Sequence, residues 1–179
     1  MSKFTDYALR VRRRNILALE SEISSSDDRF LARALTMVVD GMPAPEVRAA
    51  LELDSRAREE ADEESVHVLE TAAGYTPTLG ILGAVLGLIH VMENLSAPAT
   101  LGQGIAVAFV ATVYGVGTAN LVLLPLATKL RQRARAAMLS RDLIIEGIGA
   151  LQKSVAPKLM EQHLSALVQT DDDKRKRVA

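Results

Sequence analysis

Charged and apolar residues are sorted into blocks along this chain. From Thr71 to Ile89 there is no Asp, Glu, Lys, Arg or His, and from Asn94 to Thr128 there is again none, while most other stretches are densely charged. A water-soluble domain spreads its charges, because each surface helix needs a polar face. Two uncharged blocks side by side predict a pair of membrane spans, at about 75–94 and 101–128. A span needs about 20 apolar residues, and the first block reaches that length by running past His90. Ser96–Thr100, with Pro98 in its middle, is too short for anything but a tight hairpin turn. Both outer ends of the hairpin therefore lie on one side.

The flanking segments read as helices. Residues 3–22 carry a basic side (Arg10, Arg12, Arg13, Arg14), and Asp27 or Asp28 caps the helix that follows. That helix sets Phe30, Leu31, Ala34, Leu35 and Val38 on one stripe, with Gly41 as its stop and Pro45 in the first turn of the next. From Glu46 to Glu70 there are nine acids and three Arg, with Val47, Ala50 and Leu51 on the apolar side. No strong breaker separates this acidic helix from the first span, so one long helix enters the membrane, kinked or restarted near Pro77. Lys129, Arg131, Arg133, Arg135 and Arg141 follow the second span with no acid before Asp142, which makes that side cytoplasmic. An amphipathic helix covers 129–153, Pro157 interrupts, and a short helix runs to about Val168. The predicted fold is all-α: an integral membrane helical hairpin with long cytoplasmic helical extensions and cytoplasmic N- and C-termini. Its parts are a cytoplasmic helical region (1–70), the transmembrane hairpin (71–128), cytoplasmic helices (129–168) and a charged, disordered tail (169–179).

Composition narrows the chemistry. The chain has 179 residues, 49% hydrophobic and 24% charged, and no Cys. Zero Cys excludes a disulfide scaffold, a thiolate metal site and a cysteine nucleophile. A net charge of −1 gives no global basic signal for nucleic acid. Small residues four apart recur in both spans: Gly80/Ala84 and Gly83/Gly87 in the first, Gly104/Ala108/Thr112 and Ala111/Gly115/Ala119 in the second. Such rows let helix backbones approach closely. His90 and Glu93 share a helical face, but one His and one acid are too few for a metal, and reaching headgroups or water at the span's end is the stronger reading. Thr112, Tyr114, Thr118 and Asn120 fit helix–helix hydrogen bonding and the lining of an ion path equally well. No span carries a mid-membrane carboxylate, which a proton or sodium conductor normally needs; a conducting role requires that group from another chain. No catalytic residue, cofactor motif or metal site is predicted.

Tyr75–Leu95 (YTPTLGILGAVLGLIHVMENL) followed by Leu101–Leu130 (LGQGIAVAFVATVYGVGTANLVLLPLATKL) resembles the last two transmembrane helices of the MotA family of flagellar stator subunits, its MotC-type branch especially. Arg12–Glu20 (RRRNILALE) resembles the family's cytoplasmic motif, with Asn15 where Gly is usual. Arg29–Leu51 and Ile144–Leu164 also match, so the resemblance covers about residues 10–168. Family members carry two further transmembrane helices ahead of the basic motif, so the sequence given reads as a fragment, a mis-called start or a reduced paralogue. The resemblance implies an inner-membrane, multi-pass subunit of a homo-pentamer. Its partners are a MotB-type subunit anchored to peptidoglycan, which supplies the ion-binding Asp, the rotor protein FliG, and membrane lipid. It implies that Arg12 and Glu20 face the rotor, that Pro77 and Pro125 couple ion flow to movement, and that Thr112 lies by the ion path. Sodium-driven relatives usually have Thr where this chain has Ala84; without that oxygen ligand protons are favoured. The related ExbB/TolQ energy-transducing channels are the alternative, but they typically keep an intramembrane acid and lack the Arg12–Glu20 motif.

Overall fold

The computed structural model describes residues 2–14, 16–93 and 98–178, with backbone alone for 2–3, 13–14, 98–100 and 171–178. Those residues form α1 (Ser2–Arg14), a 3₁₀ turn (Ile16–Leu19), α2 (Glu20–Ser25), α3 (Arg29–Val39), α4 (Ala44–Glu93), α5 (Pro98–Gly117), a π-helical segment (Thr118–Leu123), α6 (Leu124–Gln152) and α7 (Pro157–Val178). They fall into two compact units, Met1–Glu59 with Arg135–Ala179, and Glu60–Ala134. The hairpin expected between 94 and 101 lies partly outside the described residues.

The first unit has the core of a water-soluble helical domain. The predicted stripe Phe30, Leu31, Ala34, Leu35 and Val38 is buried, together with Val47 and Leu51 of α4, Ile144, Ile145, Ile148 and Leu151 of α6, and Met160 and Leu164 of α7. Apolar residues at i, i+3 and i+4 put one face of each helix into this core. The α3 start is fixed by Asp28, whose Oδ1 accepts from the Phe30 and Leu31 N–H at 2.9 and 3.3 Å, two donors that a helix start otherwise leaves unpaired. Its end closes at Gly41, φ +80°, with Gly41 N–H on Val38 O and Met42 N–H on Met37 O, both at 3.1 Å. The same two-bond closure ends α6, with Ser154 N–H on Leu151 O and Val155 N–H on Ala150 O, both at 3.0 Å. There the left-handed position is held by Ser154, φ 51°. Arg48 bridges Glu52 at 2.8 Å on its own helix and Glu146 of α6 at 2.6 Å. These carboxylates raise the Arg48 pKa above its ordinary value.

The second unit is the apolar hairpin. By length and composition its two helices can cross a membrane, and most of their large side chains are exposed, among them Leu79, Leu82, Leu86, Phe109, Val113 and Leu121. In water that surface would not stay open; in a bilayer it needs no cover. The helices run antiparallel with backbones nearly touching. A Cβ added at Gly115 would stand 2.7 Å from Gly80 Cα and 3.0 Å from Thr76 O. One at Gly83 would meet Ala111 Cβ at 3.1 Å, one at Gly87 would meet Ala108 Cβ at 3.3 Å, and one at Gly104 would strike Val91. The small-residue rows of the sequence are thus spent on packing within one chain. Past the apolar blocks the same two helices are joined by Arg131 to Glu70 at 2.6 Å.

Three expectations change in detail. The single helix over 3–22 is divided into α1, a 3₁₀ turn and α2. No restart occurs at Pro77, since α4 passes through it for 50 residues. The helix after Pro157 does not stop near Val168 but runs to Val178, through the segment expected to be disordered.

Candidate functional site

Proline and the π segment shape the hairpin where it leaves regular α-helix. Pro77 lies inside α4 and has no N–H, so the Ala73 carbonyl loses its helical donor. Opposite Pro77 in the antiparallel register, the chain widens into the π segment, where Leu124 N–H reaches back five residues to Ala119 O. A π turn inserts one extra residue. The insertion explains the spacing of buried small residues: Ala108, Gly115, Ala119 and Ala127 stay buried although the last steps are four and eight. Without it, Ala127 would rotate off the packing face. Pro125 follows at once, so the wide turn also gives room to a ring that would otherwise press on a carbonyl.

The polar side chains of the spans turn mostly onto their own backbone. Thr76 Oγ1 donates to Ala72 O at 2.6 Å, Thr112 Oγ1 to Ala108 O at 3.3 Å, Asn120 Nδ2 to Val116 O at 3.0 Å and Thr128 Oγ1 to Leu124 O at 2.9 Å. Thr112 and Ala84 are half-buried at the same level of the hairpin, each next to the Ala111–Gly83 contact. Pro125 is exposed and Pro77 half-buried. The residues expected at the ion path and coupling positions, Pro77, Ala84, Thr112 and Pro125, are therefore all on one hairpin but spread along its length. Asn120 was read as fitting either helix–helix hydrogen bonding or the lining of an ion path; the π segment was not foreseen, although Pro125 and the spacing of Gly115, Ala119 and Ala127 mark that turn in the sequence.

In the other unit, Arg10 is held by Asp6 and Glu22, both at 2.7 Å, whereas Arg12 and Glu20 are exposed and, among the described residues, neither joins an ion pair. Glu20 lines a shallow groove of about 680 Å³ with Leu17, Ala18, Ser21 and Ser24. The Tyr7 hydroxyl donates to Glu22 at 3.2 Å. Burial and the Glu22 charge raise the Tyr7 pKa above its ordinary value. His90 Nδ1 and Glu93 Oε2 stand 3.8 Å apart on exposed side chains. Among the described residues, no group of three or more His, Cys, Asp or Glu is placed to hold a metal.

A model of the MotA/TolQ/ExbB proton channel family matches residues 22–142, more than half of the chain. The chain belongs to the MotA/TolQ/ExbB proton channel family. Within that family its relatives include Motility protein A of Bacillus subtilis, 37% identical over 90% of this chain and 60% of the relative. Motility protein A of Treponema phagedenis is 38% identical over 93% of this chain and 65% of the relative. Chemotaxis protein PomA of Vibrio alginolyticus is 32% identical over 92% and 64%. Two solved structures superpose closely. MotAB of C. jejuni has a TM-score of 0.87 at 30% identity, covering 93% of this chain and 65% of that one. The flagellar MotAB stator complex of Bacillus subtilis has a TM-score of 0.85 at 34% identity, covering 97% and 68%. This chain therefore spans 60 to 65% of the length of the three relatives. The all-helical membrane fold read from the sequence is the fold of this family.

Proposed function

We propose that the chain is part of a flagellar-motor stator subunit that couples ion flow to torque on the rotor, and that it acts as a motor component and not as an enzyme. The observation that carries this reading is the superposition of 97% of the chain on the MotAB stator complex of Bacillus subtilis. The hairpin's own chemistry supports it. Between Thr71 and Ile89 and between Asn94 and Thr128 no side chain can ionise as an acid below the phenol range, so ion transfer needs a carboxylate from a second protein. A MotB-type subunit anchored to peptidoglycan supplies it.

In this reading the chain is a multi-pass protein of the bacterial inner membrane, surrounded by lipid. Both its described ends are cytoplasmic, and it assembles as a homo-pentamer around the partner. Arg12 and Glu20, exposed and free of ion pairs among the described residues, meet the rotor protein FliG. Pro77 and Pro125 sit where the helices lose backbone bonds and are the natural places for the hairpin to flex as an ion passes. Thr112 borders the ion path, and Ala84 beside it favours protons over sodium. The test is co-purification. The chain, expressed with its MotB-type partner and extracted in mild detergent, should bring that partner down. Retrieval of an ExbD/TolR-type protein instead would overturn the stator reading and leave an energy-transducing channel.

A further inference from the structure

The π segment leaves backbone oxygens without donors in the middle of a span. Leu124 N–H is taken by Ala119 O, and Pro125 has no N–H to give. The Asn120 carbonyl, four residues before Leu124 and five before Pro125, thus has no donor in its helix. The Leu121 carbonyl, four residues before Pro125, loses its α-helical donor as well. The Asn120 side chain adds to the imbalance: its Nδ2 is turned back to Val116 O at 3.0 Å, which leaves Oδ1 as a further acceptor. Asn120 is exposed, and Leu121 is 79% exposed.

Depth makes this costly. Asn120 lies nine residues before Lys129, about 13 Å along a helix rising ~1.5 Å per residue, close to the middle of a hydrocarbon layer about 30 Å thick. Backbone oxygens without donors are not tolerated against lipid; they persist at such depth only inside protein or along water. The spare oxygens outnumber the one spare donor, the second N–H of Asn120 Nδ2, and none of these groups is ionised. Such a site attracts cations and repels anions. Carrying no full charge, it also holds a cation loosely enough for passage.

We propose that this turn lines a water-filled path and that the Asn120 carbonyl, Asn120 Oδ1 and the Leu121 carbonyl are ligands for a small, partly dehydrated monovalent cation, hydronium or sodium. The inference rests on the ion-conducting reading above and adds a binding site built from this chain's own backbone. Pro125 thereby acquires a chemical role, because withholding an N–H keeps a carbonyl oxygen of this turn open.

The chain has no Cys, so single cysteines can be read without background. Asn120→Cys and Leu121→Cys, with Leu82→Cys and Leu86→Cys as controls, would be made in the chain co-expressed with its partner. Membranes would then be treated with a small cationic methanethiosulfonate. A thiol reacts as thiolate, which forms in contact with water and is suppressed in apolar surroundings, so cysteines at 120 and 121 should react at least about tenfold faster than those at 82 and 86. Sodium slowing the reaction at fixed pH, where choline does not, would identify sodium as the occupant; equal rates in both would exclude sodium. Rates at 120 and 121 equal to the controls, with the partner still bound, would overturn the inference and leave the stator reading intact. Loss of the partner would instead fail the stator reading. Adding Pro125→Ala to Leu121→Cys restores an N–H and should slow the reaction; an unchanged rate would overturn the role of the carbonyls.

Discussion

Gly115→Ala is the sharpest perturbation of the hairpin. The added Cβ would lie 2.7 Å from Gly80 Cα and 3.0 Å from Thr76 O. Both obstacles are backbone, so no side chain can swing aside. Ordinary contact requires the helices to part by about 1 Å locally, and a gap of that size forfeits a quarter to a half of each atom pair's ~0.1–0.2 kcal/mol. Over the tens of pairs at this crossing, which includes Gly83 on Ala111 and Gly87 on Ala108, the loss is about 2–3 kcal/mol. Replacing Gly by Ala inside a helix returns about 0.5–1 kcal/mol, so the net destabilisation is about 1–2 kcal/mol. Gly74→Ala and Gly102→Ala are the controls, because a Cβ at either position meets nothing within 4 Å; they should be neutral or slightly stabilising. The assay is SDS-driven unfolding in mixed micelles, followed by energy transfer between dyes on cysteines introduced at Leu79 and Val122, both exposed. Gly80→Ala with Gly115→Ala should cost less than the sum of the two, since the first substitution already parts the helices. A Gly115→Ala protein as stable as Gly74→Ala would refute the close-packed crossing.

The other unit yields further predictions. Ser154→Gly should stabilise the chain by about 1 kcal/mol, because φ 51° suits Gly far better than an L residue; thermal unfolding in detergent reads it. Leu35→Ala, at a position with no exposed surface, should cost about 2–5 kcal/mol, visible as a lower midpoint in the same melt. Tyr7 should titrate above its ordinary value of 10.0, raised first by burial and then by Glu22. A raised folded pKa means that its contribution to stability is fully present below the unfolded value and lost as pH rises through the folded one. An ultraviolet phenolate titration should therefore show a late component that Tyr7→Phe removes, together with part of the alkaline loss of stability.

Much of this fold was legible because membranes and helix caps impose simple rules. Charge-free blocks marked both spans, the 3.6-residue stripe from Phe30 to Val38 marked a core helix, and Asp28 and Gly41 marked its ends. The small-residue rows predicted close helix contact, though not that the contact would fall within one chain. Local geometry was harder to read. The 3₁₀ turn at Ile16–Leu19 breaks a helix in a stretch whose composition favours one, and α4 tolerates Pro77 because the facing helix packs along it. The π segment escaped notice since apolar residues surround it on every side, which hides a one-residue shift of register. Its trace lies in the distance between Ala119 and Ala127 and in Pro125. The pair Arg12 and Glu20 was visible by resemblance alone; what the structure adds is that Arg10 is tied into ion pairs and that Arg12 joins none among the described residues.

The decisive measurement is swimming in a cell whose own MotA-type gene is deleted, complemented with this chain in its full gene context together with its MotB-type partner. A stator role predicts restored swimming, lost again with Arg12→Glu and regained when the rotor's facing charge is reversed as well. If the protein inserts in the membrane and holds its partner yet the cells do not swim, ion flow through this family member is not coupled to flagellar torque.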